Sequence, residues 1–279
     1  MIKKTILVAL DYHKASQNAL QYALNLAYEM KSELFLLHAF HVPVPTMDTS
    51  MPIQSNKEVQ NFENKRIDRV IKSTLENFKY KIKINGKAIE GLAGEIIPSW
   101  IKKHKPNLTI MGIHSVGALD EFLLGSTCES IIREDLVPVL IIPSNVKFKK
   151  INRITFSTDL KEINTSYITE KLKYYCNLFS ASLHILHINE PNGLVFSEEK
   201  ENLEKIKEEF SKVKIKISEP ESKKITDIIL NEGLKNNSRW IVLIHKNYGL
   251  LKEIFHKSII KKMIFHSEIP ILVLNSGKK

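Results

Sequence analysis

The spacing of apolar positions along this chain alternates between two periods. Short apolar runs such as Thr5–Leu10 are typical of strands that are buried on both faces. In the segment that follows, the apolar residues from Ala15 to Met30 recur at helical spacing along one stripe. The alternation continues, predicting strands at 34–40, 80–84, 108–111 and 137–142 and helices at 58–78, 94–104 and 125–133. It predicts an α/β fold in which a doubly wound parallel sheet carries helices on both faces.

The same pattern occurs twice. Residues 111–142 align with residues 243–274 without a gap, and the segments 6–11 and 34–38 match 154–159 and 183–187. The matched pairs include Gly117 with Gly249, Ser126 with Ser258 and Pro138 with Pro270. A repeat of this length predicts two units with the same fold. We therefore predict an N-terminal domain, 1–147, and a C-terminal domain, 148–279, each of ordinary domain size.

The composition is basic and indicates no transmembrane segment. A formal net charge of +10 could attract nucleic acid or phosphorylated ligands. However, Lys and Glu are interleaved through residues 197–217, which is typical of a solvated face, so we do not expect a nucleic-acid site. No apolar run is long enough to cross a bilayer, and the first residues lead into a strand without a signal-peptide core. The two cysteines, Cys128 and Cys176, do not make a disulfide framework, which favours a reducing compartment. We therefore expect a cytoplasmic protein.

Candidate binding residues fall at the carboxyl ends of predicted strands. Asp11 ends the first strand and Met111-Gly112 end the fourth, while Gly125-Ser126-Thr127 open the last helix of the first copy. In doubly wound sheets, ligands bind at the carboxyl ends of the strands, and a helix amino end favours an anion. Glycine at these positions would let a phosphate approach the backbone without meeting a Cβ atom. The alternative is that both glycines merely permit tight turns, and spacing alone leaves the two interpretations equal.

The stretch 111–142 resembles the carboxyl-terminal half of a universal stress protein domain, with its G-x-x-G-x9-G-[ST] nucleotide loop. The resemblance covers the chain twice, so the chain is similar to tandem universal stress proteins. It implies two five-stranded, Rossmann-like sheets of the adenine nucleotide alpha hydrolase-like type. One departure is that Ser115 stands at the second glycine of the loop, where a positive φ would be costly for serine.

The resemblance also implies a role for each residue of the first copy. Asp11 would contact the base or ribose, and Ala9 and Ala39 would line the adenosine pocket. The remaining predicted binding residues are Met111, Gly112, His114 and Ser115 beside the ribose and phosphates, and Gly125, Ser126 and Thr127 around the phosphate chain. The implied ligand is ATP or AMP, with or without Mg²⁺.

The second copy keeps Asp159 and Ser258 but has lost the glycines. Ile244, Asn247 and Lys257 occupy the three glycine positions of the loop. We expect this domain to bind no nucleotide and to act as a structural partner. An apolar ligand in its cavity is the alternative.

The last predicted strand of each copy, Val137–Ile142 and Ile269–Leu274, is apolar along its length. An uncovered edge of this kind invites pairing with another strand. The resemblance implies that the two strands pair antiparallel within the chain, giving an intrachain pseudo-twofold dimer of domains. The alternative is that each edge pairs with a second chain, giving a homodimer or higher oligomer.

No catalytic residue and no metal site is predicted. The chain has no Walker lysine motif, no nucleophile elbow and no Cys-x-x-Cys. Asp120 or Glu121 could orient a water, but acids on a short surface helix are usually solvated. His184 and His187, three apart on a strand, would point to opposite faces, so they could not chelate one metal. His38 and His187 occupy the same place in the two copies, which suggests a common role in the fold or pocket.

Three functional hypotheses follow. The favoured one is a cytoplasmic stress-response regulator that binds ATP or AMP in its N-terminal domain and is recognised by an unidentified protein partner. The second is an interaction or chaperone-like module that works without nucleotide. The third is a slow ATPase.

Overall fold

A computed structural model describes residues 4–41, 56–113, 126–160, 165–189, 191, 197–245 and 259–275. The N-terminal half contains β1 (Thr5–Ala9), α1 (Lys14–Glu29), β2 (Glu33–Phe40), α2 (Asn56–Asn77), β3 (Ile84–Glu90), α3 (Ala93–His104), β4 (Leu108–Ile113), α4 (Ser126–Glu134) and β5 (Val139–Pro143). The C-terminal half contains β6 (Arg153–Ser157), α5 (Thr165–Phe179), β7 (Ser182–Leu186), α6 (Ser197–Glu209), β8 (Ile215–Ser218), α7 (Ile225–Lys235), β9 (Trp240–His245), a helix α8 over 259–266, and β10 (Ile271–Asn275).

The described strands form one sheet of ten strands in the order β3-β2-β1-β4-β5-β10-β9-β6-β7-β8. Within each half all pairs are parallel, as the strand–helix alternation predicts. Counted outward from the centre of the sheet, the strands of the two halves follow the same order. A pseudo-twofold axis therefore passes between β5 and β10. The predicted α/β class, with two tandem five-stranded doubly wound units, is confirmed.

The two halves meet through an antiparallel pair. Leu272 lies opposite Leu140 in the β5–β10 ladder, flanked by the pairs Ile271–Ile141 and Val273–Val139. The predicted pairing of the segments Val137–Ile142 and Ile269–Leu274 is therefore present within the chain. Because both strands are used here, the alternative of pairing each with a second chain does not apply to this arrangement. The outer strands of the sheet are β3 and β8.

Among the described residues, two large hydrophobic cores cover the two faces of the sheet and run through both halves, and a smaller cluster of Phe40, Ile67 and Ala88 lies under α2. On one face, α1, α5 and α6 pack over strand residues such as Val8 and Phe156. On the other, α3, α4, α7 and α8 pack over residues such as Leu7 and Ile241. Cys128 in α4 and Cys176 in α5 are buried and unpaired, and burial raises the pKa of both thiols to about 12.

Polar contacts add to the junction between the halves. The buried indole Nε1 of Trp240 donates to the hydroxyl of Tyr22 in α1 at 2.8 Å. The ammonium of Lys4 donates to the Tyr174 hydroxyl at 2.9 Å. Asn18 in α1 donates to the carbonyls of residues 143 and 146, which fixes the connecting segment along that helix.

The prediction for the third strand was wrong in position. The sequence predicts a strand at 80–84, whereas β3 is Ile84–Glu90 and pairs with β2 over its whole length. The strand contains Asn85-Gly86, a pair that usually marks a turn. Gly86 is needed for packing, since a Cβ atom there would lie 2.5 Å from Ile67 Cγ2 of α2. The absence of a side chain lets α2 lie close over this edge strand.

Candidate functional site

The carboxyl ends of β1, β2 and β4 form the edge at which the predicted binding residues gather. β1 lies between β2 and β4, so the chain leaves β1 to one side for β2 and returns on the other side for β4. This is the topological switch point, where doubly wound sheets leave a crevice. Ala9 and Met111 are buried beneath the edge, and Ala39 is half-buried on β2. Four predicted residues, Ala9, Ala39, Met111 and Gly112, therefore lie on three neighbouring strands.

Asp11 projects from the turn that joins β1 to α1. Its side chain is exposed, and its Oδ1 accepts the backbone N–H of His13 at 2.9 Å. Its own N–H donates to the Ser16 hydroxyl at 3.2 Å. Between these contacts Tyr12 has a φ of 64°, in the left-handed region that is uncommon for a residue other than glycine. The turn therefore holds the carboxylate at the mouth of the switch point.

Gly112 lies against the first turn of α1. A Cβ atom at this position would be 2.1 Å from the Ala15 carbonyl oxygen and 2.8 Å from the Ser16 nitrogen. Backbone atoms cannot move aside as side chains can, so any larger residue at 112 must displace the helix or the strand. The glycine is therefore required for close packing of the helix on the strand. The sequence had suggested two other roles for it, a tight turn or room for a phosphate.

The phosphate side of the predicted site is described only in part. Thr127 is half-buried in the first turn of α4, and Ser126 is the first residue of that helix. The α4 helix is held against α3 by the Ser130 hydroxyl, which donates to the Gly94 carbonyl at 2.7 Å. The predicted residues His114, Ser115 and Gly125 lie outside the described residues.

A cluster of polar side chains beside this edge was not predicted as a unit. The Nδ1–H of His38 donates to the Leu10 carbonyl at 2.7 Å, and its Nε2 lies 3.7 Å from Glu63 Oε2. The ring of His38 packs on Tyr12 with centroids 4.5 Å apart, and the guanidinium carbon of Arg66 lies 3.8 Å from the Tyr12 ring centroid. Burial, reinforced by the Glu63 carboxylate, raises the pKa of the Tyr12 phenol to about 12. Among the described side chains, the buried Tyr12 hydroxyl and Glu63 Oε2 have no hydrogen-bond partner.

The C-terminal half repeats the histidine part of this cluster. The Nδ1–H of His187 donates to the Thr158 carbonyl at 3.1 Å, and its Nε2 lies 3.9 Å from Glu199 Oε2. Each histidine therefore ties the second strand of its half to the turn after the first strand and faces a glutamate from the next helix. The coincidence of His38 and His187 in the repeat was the available signal. The glutamates were missed because α2 and α6 share little sequence that would align them.

At the corresponding edge of the C-terminal half, two larger side chains follow the strand core. Ile244 occupies the position of Gly112, and it is buried in the same core cluster as Phe156 and Leu160. The next residue, His245, is also buried, with Nδ1 at 3.6 Å from Asp135 Oδ1 of the N-terminal half. Asn247, Lys257 and Ser258 lie outside the described residues.

Two further findings concern metal binding and membrane-spanning helices. Within the described ranges no group of three or more His, Cys, Asp or Glu side chains is placed to hold a metal ion. The same ranges contain no helix long and apolar enough to cross a membrane.

Comparisons with known proteins agree with this architecture. The sequence model of the "Universal stress protein family" matches residues 3–143. Universal stress protein MJ0531 of Methanocaldococcus jannaschii is 26% identical over 140 residues, covering 50% of this chain and 81% of the relative. Universal stress protein MJ0577 of the same organism is 26% identical over 152 residues, covering 50% and 94%. A solved universal stress protein from Archaeoglobus fulgidus superimposes with a TM-score of 0.73, at 16% identity, over 98% of this chain and 97% of its own.

Proposed function

Since this chain belongs to the universal stress protein family, we propose that its N-terminal half binds ATP or AMP and acts as a stress-response regulator. The C-terminal half is then a partner domain without nucleotide. The observation that carries this proposal is the meeting of Asp11, Ala39 and Gly112 at the switch point between β2, β1 and β4.

The adenosine side of the proposed site is built from β1 and β2. The exposed Asp11 carboxylate uses Oδ1 for the His13 N–H, and a carboxylate can accept several further hydrogen bonds. A ribose hydroxyl or the adenine amino group can donate to it. Ala9 and Ala39 are small, so they leave room at the strand ends for the base or sugar.

The phosphate side is built from helix amino ends. Gly112 brings the first turn of α1 against the end of β4, and that turn contains no acidic residue. The α4 helix begins at Ser126, next to Gly125 and Thr127. Two helix amino ends facing one crevice favour a polyanion, through free N–H groups and helix dipoles. A bound Mg²⁺ would neutralise part of the phosphate charge, while His114 and Ser115 would lie along the ribose and phosphates.

The C-terminal half lacks the features that support binding. Ile244 carries a branched side chain where Gly112 permits the close approach of α1, and Lys257 replaces the glycine before the last helix. The partner role rests on β10, which pairs with β5 and so covers an apolar edge that would otherwise be exposed. Nucleotide in the N-terminal half would change a surface that a protein partner recognises.

The test is calorimetric titration of nucleotide-stripped protein with Mg-ATP and with AMP. We expect saturable binding to the wild type and a loss of at least tenfold in affinity for Gly125→Gln, because the new side chain meets the phosphate chain. Lys257→Gln is the matched control, since it places the same residue at the corresponding position of the other half. Its affinity should equal that of the wild type.

Binding that survives in Gly125→Gln, or that is lost in Lys257→Gln, would contradict the proposed location. An absence of binding to either nucleotide would favour the nucleotide-independent interaction module. The slow-ATPase alternative is tested separately by a time course of ATP turnover, which we expect to stay at background because no general base was predicted at this edge.

A further inference from the structure

A cavity of about 730 Å³ lies between the two halves, beside the segment that connects them. Its wall includes Tyr22 of α1, the connecting segment 143–149, the end of α7 with residues 237–239, and the turn between α8 and β10. None of the described residues of the proposed nucleotide edge lines it. The volume is that of an ordinary small-molecule site, which spans roughly 300–1,000 Å³.

The charged side chains of this cavity are mainly cationic. Lys147, Lys149 and Arg239 line it, whereas Glu268 is the acidic side chain among the lining residues. Positive charges gathered around a concave surface raise the local concentration of anions. The wall is therefore electrostatically suited to a ligand of negative charge.

Arg239 is a cavity residue at which the two halves of the repeat differ. In the N-terminal half its position is held by Asn107, since each donates its backbone N–H to the first strand of its own half, to Thr5 or Arg153. Asn107 also uses its side chain locally, because its Oδ1 accepts the Thr5 N–H at 2.9 Å. Arg239 replaces this small amide with a long cation, and its buried Nε has no hydrogen-bond partner among the described groups. Arg239 is among the residues that line the cavity, and a guanidinium is a strong donor to a carboxylate or a phosphate.

The cavity also offers apolar surface. Phe265 and Ile269 are buried members of the core on one face of the sheet, and Pro270 and Val146 also line the wall. The hydroxyl of Tyr22 is already engaged by Trp240, so this residue contributes chiefly its ring. A ligand that combines an anionic group with a hydrocarbon or aromatic part would contact both the cationic and the apolar residues of the cavity.

We propose that this cavity binds a small organic anion, a carboxylate or a phosphate monoester with an apolar group, whose charge is held by Arg239, Lys147 and Lys149. The site is composite, since its walls come from both halves, and it exists only because the halves are joined. This inference does not depend on nucleotide binding at the other site.

The test uses the full chain and three probes of similar shape: phenyl phosphate, benzoate and the uncharged benzyl alcohol. Binding is measured by calorimetry with and without saturating Mg-ATP, so that occupation of the nucleotide edge is recognised as competition. The cavity variants are Lys147→Gln/Lys149→Gln and, separately, Arg239→Gln. The control Lys102→Gln/Lys103→Gln removes two exposed cations at the end of α3, outside the cavity.

We expect saturable binding of at least one anion that ATP does not displace, and no binding of benzyl alcohol. Affinity should fall at least tenfold in each cavity variant and stay within twofold of the wild type in the control. Comparison of phenyl phosphate with benzoate identifies the anionic group. The proposal is overturned if no anion binds, if ATP displaces the anion, if benzyl alcohol binds equally well, or if control and lysine variants lose affinity alike. The lysine variant keeps the test decisive should Arg239→Gln not fold.

Discussion

Gly112 lies where the backbone of α1 packs directly against β4 in the candidate site. The space for a Cβ atom is taken by the backbone of Ala15 and Ser16, so the glycine sets the position of α1 relative to β4. Because Asp11 and the amino end of α1 belong to the same turn, this one residue also positions the polar groups of the site.

We predict that Gly112→Ala destabilises the protein by about 1–3 kcal/mol, the usual cost of forcing an extra carbon into a packed site. It should weaken nucleotide binding as well, since α1 must shift. Urea unfolding and calorimetry measure the two effects. Gly233→Ala is the control, because its new Cβ atom would meet mainly side-chain atoms of Ile241 and Ile269. A Gly112→Ala variant as stable as Gly233→Ala would contradict this account of the packing.

His184 is a buried, neutral histidine held in a hydrogen-bond network. Its Nδ1 is 3.2 Å from the Thr155 hydroxyl and its Nε2 is 3.0 Å from the Ser218 hydroxyl. Burial lowers the pKa of His184 to about 4, and the nearby Lys216 and Arg153 act in the same direction while Glu232 opposes them. It contacts α7, whereas His187 faces α6, so the two histidines lie on opposite faces as their spacing predicts.

This histidine should make stability depend on pH. The unfolded chain takes up a proton near pH 6.5 and the folded chain only near pH 4, so stability is complete above about pH 6.5 and falls as pH drops towards 4. The loss attributable to His184 is of order 2–3 kcal/mol at the acid end of that window.

Urea unfolding at intervals between pH 4 and pH 7 measures it. In His184→Gln the slope over this window should fall, whereas removal of an exposed histidine in His104→Gln should leave the His184 contribution in place. Equal slopes in the wild type and His184→Gln would rule this explanation out.

At the level of elements, spacing predicted most of the first half correctly because its strands are buried apolar runs. β1, β2 and β4 begin within one residue of the predicted positions. β3 could not be placed this way, since it is an edge strand whose Asn85-Gly86 pair suits a turn and whose glycine is explained only by the approach of α2.

The sequence predicted that the candidate residues lie at strand ends, but it did not predict the side chains that contact them. Asp11 and Gly112 follow from their position at strand ends. The clusters around His38 and His187 depend on which helix residue faces each strand, and this is set by tertiary packing. The sequence repeat therefore indicated the two histidines, but it could not reveal Glu63 and Glu199.

At the scale of the whole molecule, the two halves share both cores and one sheet. The β5–β10 ladder joins them at the centre, and Trp240 reaches across to Tyr22. Because the two halves share this much buried surface, they should unfold together in one cooperative transition.

Each half carries one of the two tryptophans, which makes this testable. Trp100 lies in α3 and Trp240 in β9, so Trp240→Phe leaves a probe of the N-terminal half and Trp100→Phe a probe of the C-terminal half. We expect fluorescence and far-UV circular dichroism to give superimposable urea curves within each variant. Fluorescence that changes well before or after the circular dichroism signal would mean that the halves unfold independently.

We propose that one half of this chain is equipped for adenine nucleotide and the other is not. Native mass spectrometry of nucleotide-stripped protein, titrated with ATP and with AMP, counts bound molecules per chain directly. We predict that one nucleotide binds per 279-residue chain and that the count stays at one as nucleotide is raised further. A second nucleotide that binds with similar affinity, or none at any concentration, would contradict the account.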